Sequence, residues 1–336
     1  MNARPEPACI GTCDRWYCTP VSRKCEPILA ELQRPHAGGR FAFAALLLAN
    51  LFLAFGPWMV RLADVGPVAA AFWRVMLAVP LLLVLAYAAG GRAARWDRRT
   101  VAIIAVGGLF FAIDLASWHY GIVRTKLANA TLFGNASSFF FPLYGFIVLR
   151  HRPRPVQTVA LLCALAGTVL LLGRSYELSP QHLTGDLFAL FAGLCYVFYL
   201  IAVDRVRKRV AAMPVLALST IAGTVPLWLL ALALGEPIVP HHWGPLLLLS
   251  LGSQVIGQGL LVYAVGHVRP LVVGLALLTQ PVVTAIIGAT VYGEALTVAD
   301  LAGVLLICSA IVLIRLPARL ESRAAGAHVA GDRRAG

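Results

Sequence analysis

The chain alternates between long apolar runs and short polar connections rich in arginine, and the runs set its architecture. Ten stretches stand out: 41–60, 67–88, 101–122, 127–149, 156–173, 185–203, 213–235, 243–266, 270–292 and 298–314. Each approaches the roughly 20 apolar residues that an α-helix needs to cross a ~30 Å hydrocarbon core. Runs such as LLLVLAYAA are apolar on every side, whereas membrane β-strands alternate over about ten residues. Helices also satisfy their own backbone in lipid, which open strands cannot do. The pattern predicts an all-α membrane protein with ten transmembrane helices.

Composition agrees. Of 336 residues, 60% are hydrophobic and only 13% are charged, about half the charged share of a soluble domain, which is about 25%. A net charge of +13 in a soluble protein would raise the question of nucleic acid. Here the basic residues sit in short tracts between apolar runs, so no nucleic-acid partner is expected. Most of the 28 Lys and Arg residues fall in the N-terminal tail, the even-numbered connections and the C-terminal tail. Cytoplasmic loops hold such an excess. Both termini are therefore expected on the cytoplasmic side of a bacterial inner membrane. Residues 1–40 lack the apolar core of a cleavable signal peptide, so the first helix is expected to act as its own insertion signal.

The chain also repeats itself. The second run aligns with the seventh, Pro67 with Pro214 and Pro80 with Pro226. The third ends WHYGI and the eighth VYAVG, while the fourth holds Pro142 and the ninth Pro281. In the same order, these matches indicate a duplicated five-helix unit, residues 41–174 and 184–316, flanked by a tail at 1–40 and another at 317–336. Five is odd, so the second copy enters the membrane from the opposite side. Inverted repeats are a recurring plan of secondary transporters, with the substrate bound near the midplane between the halves. A duplication that merely builds a stable bundle is the alternative.

Several segments carry a family resemblance: IDLASWHYGIVRTKLANATLFGNASSFFFPLYGFIVL at 113–149, the arginine in AFWRVML, GDLFALFAGLCYVFYLIAV and YGEALTVADLAGVLLICSAIVLI. They resemble EamA-type members of the drug/metabolite transporter superfamily across residues 41–316. The resemblance implies a ten-helix inverted-repeat carrier that exports, or less often imports, small metabolites such as amino acids. Family halves commonly carry a glutamate just after the fourth or ninth helix. Glu294 fits in the second half, whereas the first half has LRHRPRP there.

Ionisable groups inside a bilayer are costly and mark function by default. Arg74 lies about 10 Å below the outer end of the second helix, and Asp114 about 12 Å below that of the third, at 1.5 Å rise per residue. Either the two neutralise each other, or Arg74 binds an anionic group with its planar fork of donors. Asp114 would then bind an amine or carry a coupling proton, because low dielectric disfavours charge on a carboxyl group. Trp118 shares a helix face with Asp114 by i, i+4 spacing and is read as either a stacking surface or an interfacial anchor. His119 is read as a packing histidine or a second proton carrier. Asn135, Gln254, Gln258 and Gln280 fall at similar depth and complete the candidate substrate site. Asn129, Thr284, Tyr196, Tyr199, Tyr263 and Asn50 are weaker candidates. Interhelix contact is the alternative role for any of these polar groups.

Cys9, Cys13, Cys18 and Cys25 crowd the N-terminal tail without a C-x-x-C pair, so a disordered extension is expected rather than a metal centre. No nucleotide-binding G-x-x-x-x-G-K-[ST] loop occurs, which argues against direct ATP drive. No enzyme signature, cofactor or metal site is expected. The sequence reading is a secondary carrier of a small polar or zwitterionic metabolite, acting as a monomer or homodimer. It most resembles an exporter, with an uptake permease or a membrane-embedded enzyme as alternatives.

Overall fold

Helix is the one kind of regular structure among the described residues of the computed structural model, which are 38–89, 97–125, 127–148, 153–173, 180–291 and 298–313. The cysteines of the N-terminal tail, Glu294 and the side chain of Asn129 lie outside them. The first half contains α1 (Gly38–Ala54), α2 (Gly56–Leu62), α3 (Pro67–Met76), α4 (Val79–Ala88), α5 (Arg98–Ile122), α6 (Leu127–Gly134), α7 (Ser137–Ile147) and α8 (Pro155–Gly173). The second contains α9 (Pro180–Arg207), α10 (Ala212–Ala233), α11 (Trp243–Leu248), a π-helical stretch (Leu249–Gly257), α12 (Gln258–Val265), α13 (Pro270–Leu277), α14 (Thr279–Val291) and α15 (Val298–Leu313).

Among the described residues, six helical rods are long and apolar enough to cross a membrane: Phe41–Leu62, Pro67–Ala88, Arg98–Ile122, Leu183–Arg207, Ala212–Ala233 and Trp243–Val265. Four further apolar helices, Ser137–Ile147, Pro155–Leu170, Pro270–Thr284 and Leu301–Leu313, are shorter. The helical path is interrupted at Asn135–Ala136, ahead of Ser137–Ile147, and at Leu278, within Pro270–Thr284. A proline lacks an N–H and crowds the carbonyl four residues earlier. The interruptions at Leu77–Ala78 and Leu278 accordingly lie just ahead of Pro80 and Pro281, whereas Pro142 and Pro226 sit inside unbroken helices.

The two stretches of the repeat interleave, and from Arg40 onward the chain forms one compact unit. α5 packs most extensively on α9 and next on α10, α7 packs on α13, and α8 on α15. Small residues let these backbones approach, as is usual where lipid removes the hydrophobic drive between helices. A Cβ on Gly108 would lie 2.5 Å from the Ser219 carbonyl oxygen, and one on Gly167 would lie 2.7 Å from that of Gly303. Large apolar side chains such as Val84, Leu162, Val169 and Leu305 point outward, as a lipid-facing perimeter requires.

Two further features position the site. Gly235, at φ +65, ends α10 and turns the chain sharply, a conformation that costs glycine little. The following connection then fastens to α3. Glu236 Oε2 accepts from the Ala69 N–H at 2.8 Å, the Gly66 N–H donates to the Pro237 carbonyl at 3.0 Å, and Trp73 Nε1 donates to the Ile238 carbonyl at 2.6 Å. Asp64 accepts from the backbone N–H groups of His241 and His242 at 2.9 and 3.0 Å. At the far end of α2, Arg61 Nη2 donates to the Ile122 and Thr125 carbonyls, both at 3.2 Å, tying α2 to the end of α5.

Candidate binding cavity

A cavity opens between the two halves, with about 630 Å³ of non-atom space once its open mouth is included. Leu53, Ala54 and Pro57 form its wall at the break between α1 and α2, and Leu277 closes it from α13. Its polar lining comes from α3 (Arg74), α5 (Asp114, Trp118), the α6–α7 break (Asn135) and, in the second half, α9 (Tyr196), α12 (Gln258) and α14 (Gln280, Thr284). Six of the residues expected from sequence, Arg74, Asp114, Trp118, Asn135, Gln258 and Gln280, therefore face one space. Gln254 and His119 do not line it.

Arg74 is 3% exposed and is the one basic side chain among the described lining residues. Its Nε donates to Gln254 Oε1 at 3.2 Å, and neither Nη group has a hydrogen-bond partner among the described residues. Asp114 has neither a hydrogen bond nor an ion pair among the described residues. A cation and a carboxylate thus share the cavity without joining. In a medium of low dielectric an unpaired charge is expensive, so both groups are poised for a ligand, a proton or ordered water.

The neutral groups are partly spoken for, and what remains points to the ligand each could take. Asn135 Nδ2 donates to the Thr131 carbonyl at 2.8 Å, so its Oδ1 remains an acceptor. Tyr196 donates to Gln258 Oε1 at 3.1 Å, leaving the Gln258 NH₂ as a donor. Gln280 Nε2 donates to Asn50 Oδ1 at 2.8 Å, and Asn50 Nδ2 donates in turn to the Leu46 carbonyl at 2.8 Å. Asn50 therefore sits behind Gln280, fully buried, and steadies it. Thr284 Oγ1 is buried without a hydrogen-bond partner among the described residues. Trp118 lies in the cavity wall, where a Cβ on Gly134 would approach its Nε1 to 2.8 Å. Glycine at that position lets the indole lie close against α6.

His119 is fully buried, with Nδ1 3.1 Å from the Pro67 carbonyl. That contact fits the packing reading of this histidine. Tyr199 is also fully buried and stacks on Phe111 at 4.6 Å. Tyr263 packs beside His267 and does not reach the cavity. Sequence reasoning passed over Thr131 and Ser137, which do line it. Short hydroxyl side chains occur throughout these helices, and these two flank the helix interruption at Asn135–Ala136.

Comparison with known proteins gives the same class of molecule. The EamA-like transporter family matches twice, at residues 40–173 and 183–316. The pseudopaline exporter CntI of Pseudomonas aeruginosa is 27% identical over 252 residues, 73% of this chain and 84% of that protein. The threonine/homoserine exporter RhtA of Escherichia coli K12 is 27% identical over 218 residues, 64% of this chain and 72% of that protein. One solved crystal structure superposes with a TM-score of 0.65 at 22% identity, covering 83% of this chain and 98% of that one, which shows a shared fold. With both halves matched, the chain belongs to the EamA-like transporter family.

Proposed function

We propose that this protein is a secondary carrier with ten spans in two inverted repeats, exporting a small polar metabolite of amino-acid type by alternating access. The observation that carries this reading is the cavity between the halves, where the Arg74 Nη groups and the Asp114 carboxylate have no hydrogen-bond partner among the described residues. A molecule carrying both a carboxylate and an ammonium group complements that pair, with a fork of donors at one end and a carboxylate at the other. Amides from Asn135, Gln258 and Gln280 would hold the polar middle of such a molecule, and Trp118 would cover one side. The two exporters at 27% identity support the direction and the size of the solute.

In this reading Asp114 also accepts the coupling proton when the substrate amine leaves. His119, held at Pro67, keeps a packing role. The charge distribution along the sequence supports cytoplasmic termini in the inner membrane.

The test is exchange in proteoliposomes loaded with unlabelled L-threonine or L-homoserine and supplied with the labelled compound outside. A carrier accumulates label by counterflow and returns it chemically unchanged. Absence of counterflow with either solute, or release of an altered product, overturns the reading.

A further inference from the structure

We infer that Gln254 is a positioning residue that aims the Arg74 guanidinium and so makes the cavity select a carboxylate over its neutral isosteres. The inference rests on the reading of Arg74 as the anion site. Gln254 is fully buried and absent from the cavity wall, so it acts through Arg74 rather than by touching solute.

The geometry fixes both ends of this amide. Arg74 Nε can only donate, so the Gln254 atom 3.2 Å away must be its carbonyl oxygen. The Gln254 NH₂ then points the other way, donating to Thr220 Oγ1 at 3.0 Å, and Thr220 is itself fully buried in α10. A guanidinium offers flat forks of N–H donors. With Nε engaged, the side-on fork that uses Nε is closed, and the Nη pair is the fork left for a two-oxygen anion. An amide acceptor achieves this without neutralising the cation. A glutamate at 254 would supply the same oxygen but place a carboxylate on the one basic group of the described lining residues.

The π-helical stretch holds Gln254 in place. A π-helix bonds i to i+5 and occurs frequently at functional sites. Around Gln254 the stretch is pressed against the α1–α2 junction: Ser253 Oγ donates to the Phe52 carbonyl at 3.4 Å, and a Cβ on Gly257 would meet Leu53 Cγ at 3.0 Å. The cation of the first half is thus aimed by a glutamine and a threonine of the second.

The full chain in lipid nanodiscs, titrated calorimetrically with L-threonine and with L-threoninamide, tests this directly. The wild type is expected to prefer L-threonine. Gln254→Leu is expected to weaken L-threonine about ten-fold, the scale of losing one oriented charge-assisted contact, while L-threoninamide moves less than about two-fold. Thr220→Val should shift the ratio the same way by less, and Gln254→Glu should abolish it. These two variants decide the matter should Gln254→Leu fail to fold. An unchanged ratio in Gln254→Leu, or an equal loss for both probes, overturns the inference. Arg74→Gln separates the two layers. If it removes the preference while Gln254→Leu keeps it, the anion site stands and the positioning role falls. A wild type that binds neither probe, or an Arg74→Gln variant that still discriminates, overturns the anion-site reading and the positioning role with it.

Discussion

Arg74 and Asp114 face one cavity from adjacent helices without forming an ion pair, the arginine resting instead on Gln254. A pair that existed only for mutual neutralisation would close on itself, because attraction between unit charges grows steeply as they approach in low dielectric. In the proposed function, their separation leaves a solute one group to bind at each end.

Arg74→Lys tests the fork. Lysine keeps the charge but offers a point donor rather than a planar one, and it cannot reproduce the Nε bond to Gln254. Counterflow of L-threonine is expected to show a KM raised at least about ten-fold, the cost of one lost charge-assisted contact. A lysine variant with wild-type KM would place the anion elsewhere.

Asp114→Asn keeps shape and removes both the charge and the exchangeable proton. Exchange driven by an imposed pH gradient is expected to collapse to its level without a gradient. Proton-driven accumulation that survives the substitution would take the coupling site away from Asp114.

Gly108→Val probes the seam between α5 and α10. The new side chain would start 2.5 Å from the Ser219 carbonyl and 2.8 Å from Ala222 Cβ, neither of which is the far end of a flexible group. Overpacking of this kind costs about 1–3 kcal/mol, to be read as a lowered melting temperature in detergent. Wild-type stability would mean that the seam can open freely.

Asp97 caps α5 by accepting from the Thr100 N–H at 3.3 Å. The Thr100 hydroxyl holds this carboxyl below its ordinary range against a smaller opposing effect of desolvation, and the Thr100 N–H adds a lesser pull in the same direction as the hydroxyl. A carboxylate with a depressed folded value stabilises the fold above its unfolded pKa of about 3.9 and loses that effect as pH falls through the folded value. Asp97→Ala is therefore expected to melt below wild type at pH 7, with the gap narrowing under acid. A gap that widens under acid would contradict the cap.

Much of this was legible in the sequence. Apolar length located the helices, because lipid requires nearly unbroken apolar runs. The cost of charge in a membrane singled out Arg74 and Asp114, and helical spacing put Trp118 on the face of Asp114. Gln254 shows where that reasoning stops. Spacing of four from Gln258 suggests one shared face in a uniform α-helix, but the π-helical stretch ends between them at Gly257. Its wider turn breaks the 3.6-residue register, and Gln254 falls behind Arg74 while Gln258 reaches the cavity. Hydropathy marks ten apolar runs, of which six are helices long enough to span among the described residues.

Surface connections ordinarily accept extra residues with little penalty. The one after α10 is different in kind. Glu236, Pro237 and Ile238 meet Ala69, Gly66 and Trp73 in fixed register, and Trp73 is the residue next to Arg74. An added residue at 236–238 would have to slip that register, and the slip would reach the cation one position along α3. Tags, epitopes and reporter insertions at this hairpin should therefore disturb solute affinity even though the hairpin lies outside the cavity.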